Sequence, residues 1–441
     1  MAGNANETVV WSIKTMDTAP AIAASMSQFR LWAEIDIIRP NAAPQLCDSP
    51  EVVSASDARD HLVGSLRSSA PPGHGKPPHV ERESSKKTVS ADLGLDKRYG
   101  PWLSEISGVT SAPQIQSPDL DDVAAILSRV GCSDVAVADA VRTFPMPDHD
   151  AARWWLLDRS SRRLAETMGD VDCAVGRWPD LPDDLGVAGS CFPLHLFAVA
   201  APVVRSWHAA KGIPEDVSWA TFADLGRHVG VHRRATGMSG VDALFWFQYH
   251  LRGLLIEVEG LQYRSYRLGS PDQPDPWFDD QTARTLGPGF LPGDLSVSMH
   301  LPENSVIDEA TVQRSMAAAR QLLDTVFPTS TRRIVTGTSW MLDDQLVELL
   351  PPDSQIIRLA QSFKLVPGWL DGEPQLLTSV FRQWGEVPKS GVARTRLQRA
   401  VLDHLDAGGH FRLRTGWREL DAVPLKGDLS TRRGMARSAP A

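Results

Sequence analysis

Cysteine is scarce, with four residues (Cys47, Cys132, Cys173, Cys191) in 441 and no C-x-x-C pair, which excludes a disulfide framework. No uninterrupted apolar stretch approaches the roughly 20 residues that cross a bilayer. The longest, residues 192–204, contains His195 and two prolines. Basic charge is in deficit, 45 Lys and Arg against 54 Asp and Glu for a net −9, so neither nucleic acid nor an anionic membrane is expected as a partner. The first twenty residues lack a basic segment followed by an apolar one, so no secretory signal is expected. Together these absences imply a cytoplasmic protein. What is present, 42% hydrophobic and 22% charged residues, is an ordinary globular balance, and at about 150 residues per domain the length suggests two or three domains.

The first hundred residues differ from the rest. Beyond short apolar patches at 9–13 and 29–38, the run SLRSSAPPGHGKPPHVERESSKKTVS offers prolines, serines and charge, with little apolar area to offset chain entropy. Residues 1–104 are therefore expected to be a disordered extension. Residues 105–286 are expected to form a helix-rich domain, with helices near 117–130, 135–141, 151–166, 194–211, 221–231 and 241–251. An alternating hairpin follows at 255–268. From 287 to 422 strands alternate with helices: strands at 295–301, 333–341, 355–359, 362–366 and 410–414, helices at 310–326, 344–350 and 395–405, and regular structure from 378 to 384. The tail, 423–441, is basic and loose. The fold class is thus α/β, with a mixed α+β sheet.

The local motifs for common chemistries fail. His228 and His232 share a helix face at a spacing that can chelate zinc, but lack the glutamate of a zinc protease and an obvious third ligand; no metal is expected. There is no G-x-S-x-G, and Gly237–Gly240 reads as a turn. Gly73–Lys76 is only a fragment of a phosphate loop, and no G-x-G-x-x-G follows a strand. Cys191 and His195 stand four apart in an apolar helix, where an inert buried thiol outweighs a nucleophile. The acidic runs 119–122 and 180–184 read as a helix start and a solvated loop. The 14 tryptophans suit either core packing or a large apolar pocket.

One set of segments is recognisable. VSMHLP (297–302), TSWML (338–342) with DQL (344–346), LPPDS (350–354), TRLQR (395–399) and AGGH (407–410), with EVEGLQY (257–263) upstream, resemble an actinobacterial two-domain acyltransferase family. Its C-terminal domain is a divergent GNAT fold, and its best-known members are the N-acyltransferases of teicoplanin-type glycopeptide pathways. The resemblance covers about residues 110–420. It implies a GNAT-like acyltransferase domain preceded by a helix-rich N-acyltransferase domain, acyl-CoA as co-substrate, and an amine acceptor such as an aminosugar.

The resemblance also implies roles. Residues 295–301 become a strand splayed from its neighbour at 333–341, with Met299 and Leu301 beside the coenzyme arm. The helix at 310–326 faces the pyrophosphate. The glycine loop usual before that helix is missing, since 302–305 reads Pro-Glu-Asn-Ser, so Asn304, Ser305 and Arg314 are the phosphate candidates and Arg396, with Arg399, a second group. His300 is the expected general base, since an imidazole suits proton removal from an ammonium ion. Glu257 and Glu259 compete for that role. Ser339 is a candidate donor to the leaving thiolate and Trp340 a wall of the acyl tunnel. Two alternatives stand beside this reading: a catalytically silent acyl-CoA-binding module, and a small-acyl N-acetyltransferase.

Overall fold

The structure, a computed structural model, describes residues 86–420 apart from 110, 174, 271–274, 304, 328–333 and 382–392. Helices α1 (Lys86–Asp92) and α2 (Gly100–Ser107) open it. Val89, Tyr99, Trp102, Leu103 and Ile106 are buried in the helical core. The expected extension therefore does not reach residue 104: four large side chains within 99–106 give this stretch enough apolar area to order it. Residues 1–85, the element expected at 29–38 and the tail all lie outside the described residues.

The helical layer continues with α3 (Leu120–Arg129), α4 (Asp134–Arg142) and α5 (Ala151–Glu166). Each starts at a side chain that accepts a free N–H of the first turn: Asp119 from Asp121, Ser133 from Ala136, Asp150 from Arg153. After α6 (Gly186–Ser190) comes α7 (Phe192–Ala210). The stretch Asp183–Ala210 is long and apolar enough to cross a membrane, yet Phe192, Leu194, Leu196, Phe197 and Val204 are enclosed by the surrounding helices, which marks α7 as the core helix. The single helix expected at 221–231 is two, α8 (Glu215–Phe222) and α9 (Asp224–Thr236), hinged at Ala223. Helix α10 (Leu244–Leu251) completes the layer.

The chain then makes the hairpin β1 (Leu255–Val258) and β2 (Leu261–Arg267). Glu259 and Gly260 turn it with φ of 52° and 78°, the left-handed pair that matches strand twist in a two-residue turn. Next come α11 (Asp280–Leu286), β3 (Leu295–His300), α12 (Glu309–Val326), β4 (Ile334–Ser339), α13 (Leu346–Leu349), α14 (Gln355–Gln361), β5 (Lys364–Leu365), β6 (Leu370–Asp371), α15 (Glu373–Phe381), α16 (Arg396–Asp406) and β7 (Arg412–Glu419). The strand expected at 355–359 is α14, about two helical turns behind Ser354.

The seven strands form one sheet in the order β1-β2-β3-β4-β7-β5, with β6 also on β7. The hairpin assigned from sequence to the helix-rich half thus supplies the first two strands of the sheet. Its outer edge is closed where the Glu257 N–H donates to Thr221 Oγ1 at 2.8 Å. The register sorts the side chains into two faces. Ile256, Val258, Leu261, Tyr263, Val297, Met299 and Val335 meet Val312, Met316, Ala319 and Leu323 of α12. The opposite face carries Glu257, Gln262, Arg264, Ser296, Ser298, His300 and Thr336, all but His300 buried. A buried sheet face this polar is costly unless its groups are paired, and it lies where α9 and α10 reach the sheet.

Candidate active site

Two features meet at the C-terminal end of β3. The first is a break in the sheet. The parallel ladder between β3 and β4 consists of Val297↔Val335 and Ser298↔Thr336. Beyond it β2 still pairs β3 through His300, and β7 still pairs β4 through Ser339. So the two central strands part at Met299, each held on its other side. Gly337 leaves the opening clear: a Cβ there would lie 3.9 Å from the Met299 carbonyl oxygen and 3.7 Å from the Phe363 ring. The Met299 side chain is buried among apolar neighbours, while its carbonyl lies toward Gly337.

The second feature is a charged network against the polar face. Asp224 begins α9, with Arg227 and His228 three and four residues on, so all three share one helix side. Trp246 and His250 share one side of α10 by the same spacing. Asp224 Oδ1 accepts from Arg227 Nε and Nη2 at 3.1 and 2.9 Å. Its Oδ2 accepts the Trp246 indole N–H at 2.9 Å and lies 3.1 Å from His250 Nε2 and 3.6 Å from His228 Nε2. Burial by itself would raise this carboxyl, but His228, His250 and Arg227 outweigh it and hold Asp224 well below the ordinary carboxylate range. Arg227 also binds both oxygens of Glu257. Gln262 Nε2 donates to Glu257 Oε2 at 3.2 Å, and Gln262 stands opposite both Glu257 and His300 in the register.

His300 joins the two features. Its ring meets Trp246 edge-on, centroids 4.8 Å apart at 72°, and its Nε2 lies 2.9 Å from Ser298 Oγ. It is half-buried. Desolvation first, then Arg264 and His250, lower its pKa to about 3, against the opposing pull of Asp224. At neutral pH the imidazole is therefore uncharged, and a value this low makes it a weak proton acceptor in the substrate-free protein.

The other sequence candidates fall in several places. Glu257 is in the network, but both its oxygens are engaged by Arg227 and Gln262, and burial ahead of Arg227 raises it; Glu259 lies in the hairpin turn. Ser339, at the mouth of β4, accepts the Met341 N–H at 3.1 Å. Leu301 is half-buried beside the α12 core. Trp340 packs with Leu346, Leu376 and Phe411 in a separate small core, away from Met299. Asn304 lies outside the described residues. Ser305 Oγ sits 2.7 and 3.0 Å from the carbonyls of Pro302 and Gly260. Arg314 donates to Thr311 at 3.1 Å. Arg396 is exposed at the start of α16.

The expected phosphate-binding start of α12 does not fit that task. Asp308 caps it, accepting the Thr311 N–H at 3.0 Å and its hydroxyl at 2.8 Å, and Glu309 follows in the first turn. A helix end satisfied by its own carboxylates repels a pyrophosphate. The strand opening, by contrast, fits an amide-bearing arm that can pair with a backbone edge.

Thiol and metal chemistries find no support. Burial pushes the thiols of Cys191 and Cys132 up to about 12, and His195 spends its Nε2 on the Ala140 carbonyl at 2.9 Å. His228 and His232 face different carboxylates, Asp224 and Asp242, and no metal-holding group of three occurs among the described residues.

Comparison with known proteins gives two domain matches, an N-acyltransferase N-terminal domain at residues 121–253 and a GNAT-like C-terminal domain at 255–418. They meet where the chain enters β1, not at residue 286. No curated protein sequence matches. Solved structures do: an acyltransferase mutant in complex with octanoyl-CoA (32% identity, TM-score 0.66), an acyltransferase with decanoyl-CoA and teicoplanin (32%, 0.65), and one with CoA and 10C-teicoplanin (32%, 0.66). Each match spans 76% of this chain and 100% of the other.

Proposed function

The chain belongs to the N-acyltransferases that join these two domains and use acyl-CoA, and from that membership we propose that it places a long acyl chain on the amino sugar of a glycopeptide antibiotic, by direct transfer with His300 as general base. One observation carries the reading: the β3–β4 ladder stops at Ser298, and the next residues are Met299, with its carbonyl toward the opening, and the uncharged imidazole of His300. Acyl-CoA supplies an activated acyl carbon. The protein's own part is to receive the coenzyme arm along the free edge of β3, to orient the amine, and to remove its proton at His300. Ser339 is assigned the proton donor to the thiolate, since its bond to Met341 uses the oxygen and leaves the hydroxyl hydrogen. Arg396, exposed at the start of α16, is the cation assigned to the coenzyme phosphates; Arg314 bonds Thr311 beside the Asp308 cap, at the helix start that repels them. A glycopeptide acceptor is supported by the relatives solved with teicoplanin or 10C-teicoplanin, and a cytoplasmic location by the unbridged, buried thiols of Cys132 and Cys191.

The test is to incubate the protein with decanoyl-, octanoyl- or acetyl-CoA and a panel of aminosugar glycopeptides while measuring free thiol. Acceptor-dependent release that rises with chain length supports the reading, each buried methylene favouring binding by up to about 0.8 kcal/mol. Release only with acetyl-CoA would assign small-acyl transfer instead. No release with any acceptor would leave an acyl-CoA-binding module.

A further inference from the structure

Asp224 contacts neither the strand opening nor His300 itself, yet one of its contacts ends on the ring that His300 packs against. Its Oδ1 is held by both Arg227 donors and its Oδ2 by the Trp246 indole. It is almost wholly enclosed, at 2% exposure. We propose that Asp224 is a positioning residue for the acyl transfer: it fixes the Trp246 indole by its N–H, and the indole in turn fixes the His300 ring at the strand opening. This rests on the reading of His300 as the base.

The geometry favours this over a purely structural ion pair. Arg227 alone would satisfy a buried carboxylate that only braced α9 against β1. Instead the second oxygen is turned to α10, where the indole N–H meets it at 2.9 Å and His250 approaches at 3.1 Å. The His250 ring also sits 5.6 Å from Trp246, and its Nδ1 3.2 Å from the Trp246 carbonyl, so Trp246 is held at both its backbone and its indole edge. An indole fixed in this way confines the imidazole it meets at 4.8 Å. The titratable groups that act on His300 are Arg264 from the sheet and Asp224 and His250 from the helices; of these, Asp224 accepts the indole N–H of the ring that His300 packs against.

The experiment is a double-mutant cycle on turnover. Asp224→Asn keeps the shape but removes the charge. Trp246→Phe keeps a ring against His300 but removes the N–H. Each single change is expected to lower kcat about tenfold or more with the KM for acyl-CoA little changed, and the double variant to fall no more than about threefold below the weaker single, because both break one linkage. Effects that multiply in the double variant, or losses confined to KM or to the melting temperature, would overturn the assignment. If Asp224→Asn fails to fold, Trp246→Phe paired with His250→Gln reads the same linkage from its other side. His300→Gln separates the two levels. If that variant turns over normally, the base reading falls. If it is inactive while Asp224→Asn and Trp246→Phe turn over normally, only the positioning role falls.

Discussion

His300 ends β3 at the point where one neighbouring strand continues and the other has left, so a strand side chain gains both a rigid base and an open side. Replacing it by Gln keeps a polar group of similar size without a basic nitrogen. Turnover is expected to fall by roughly 10²–10⁴, the range for a lost general base, with acyl-CoA binding by calorimetry unchanged. Because its pKa lies near 3, the rate should show no inflection between pH 5 and 7 from this residue and should instead follow deprotonation of the amine. A clear limb near 6.5 would mean that the imidazole titrates like an exposed one. Cys191→Ala is expected to leave turnover within about twofold, and iodoacetamide to leave the enzyme active, since a thiol at about 12 is protonated and enclosed. The sequence marked His300 because a titratable residue stood between Met and Leu on a strand of the resembled fold. It did not mark Asp224, Arg227 or His250, and marked Trp246 only as one of several tryptophans suited to core packing or an apolar pocket. Their signal, D-x-x-R-H and W-x-x-x-H on successive helices, is spacing alone, and gains meaning only when both helices face one sheet.

At the scale of elements, the gap depends on a glycine. Gly337→Val would place methyl groups toward the Met299 carbonyl and Phe363, where even a Cβ comes to 3.9 and 3.7 Å. Loss of acyl-CoA affinity by tenfold or more, in a protein that still melts cooperatively, is the expected outcome by calorimetry; unchanged affinity would mean the coenzyme arm lies elsewhere. A second glycine device sits at the end of α7. The Trp207 indole lies between Gly169 and Gly253, both at positive φ (70° and 65°), where added Cβ atoms would come within 2.5 and 2.4 Å of ring carbons. Gly253→Ala meets both backbone strain and overpacking, each costing roughly 1–3 kcal/mol, and should lower the denaturation midpoint accordingly. Most helices and strands were legible from periodicity and caps. Residues 355–361 were not, because QIIRLAQ is a short apolar run whose period two and period 3.6 readings coincide. Nor was the break at Ala223, which no proline or glycine announces.

For the whole molecule, buried histidines weaken the fold in acid, His195 and His208 among them. Burial first, with Arg153, lowers His195 to about 3, and burial first, with Arg205 and His250, lowers His208 to about 4; His208 Nε2 has no hydrogen-bond partner among the described residues. The unfolded chain binds protons at these groups near pH 6.5 and the folded one does not. Stability is therefore full above about 6.5 and falls as pH drops toward 4, by roughly 1 kcal/mol per pH unit for each histidine. Urea midpoints should decline steeply between pH 6 and 4 and flatten above 7, and His208→Gln should remove part of the slope. The molecular plan was legible as two domains but not their seam, since a hairpin with alternating residues looks the same whichever layer it joins.

That seam has a practical consequence. The row Glu257, Gln262, His300 belongs to one inherited unit, while the groups that neutralise and orient it, Arg227, Asp224 and Trp246, belong to the other. Chimeras cut at residue 254 and joined to a half from another relative would leave a carboxylate stranded without its guanidinium and an imidazole without its wall. Any recombination meant to retarget the acceptor must carry α9 and α10 along with the sheet they serve.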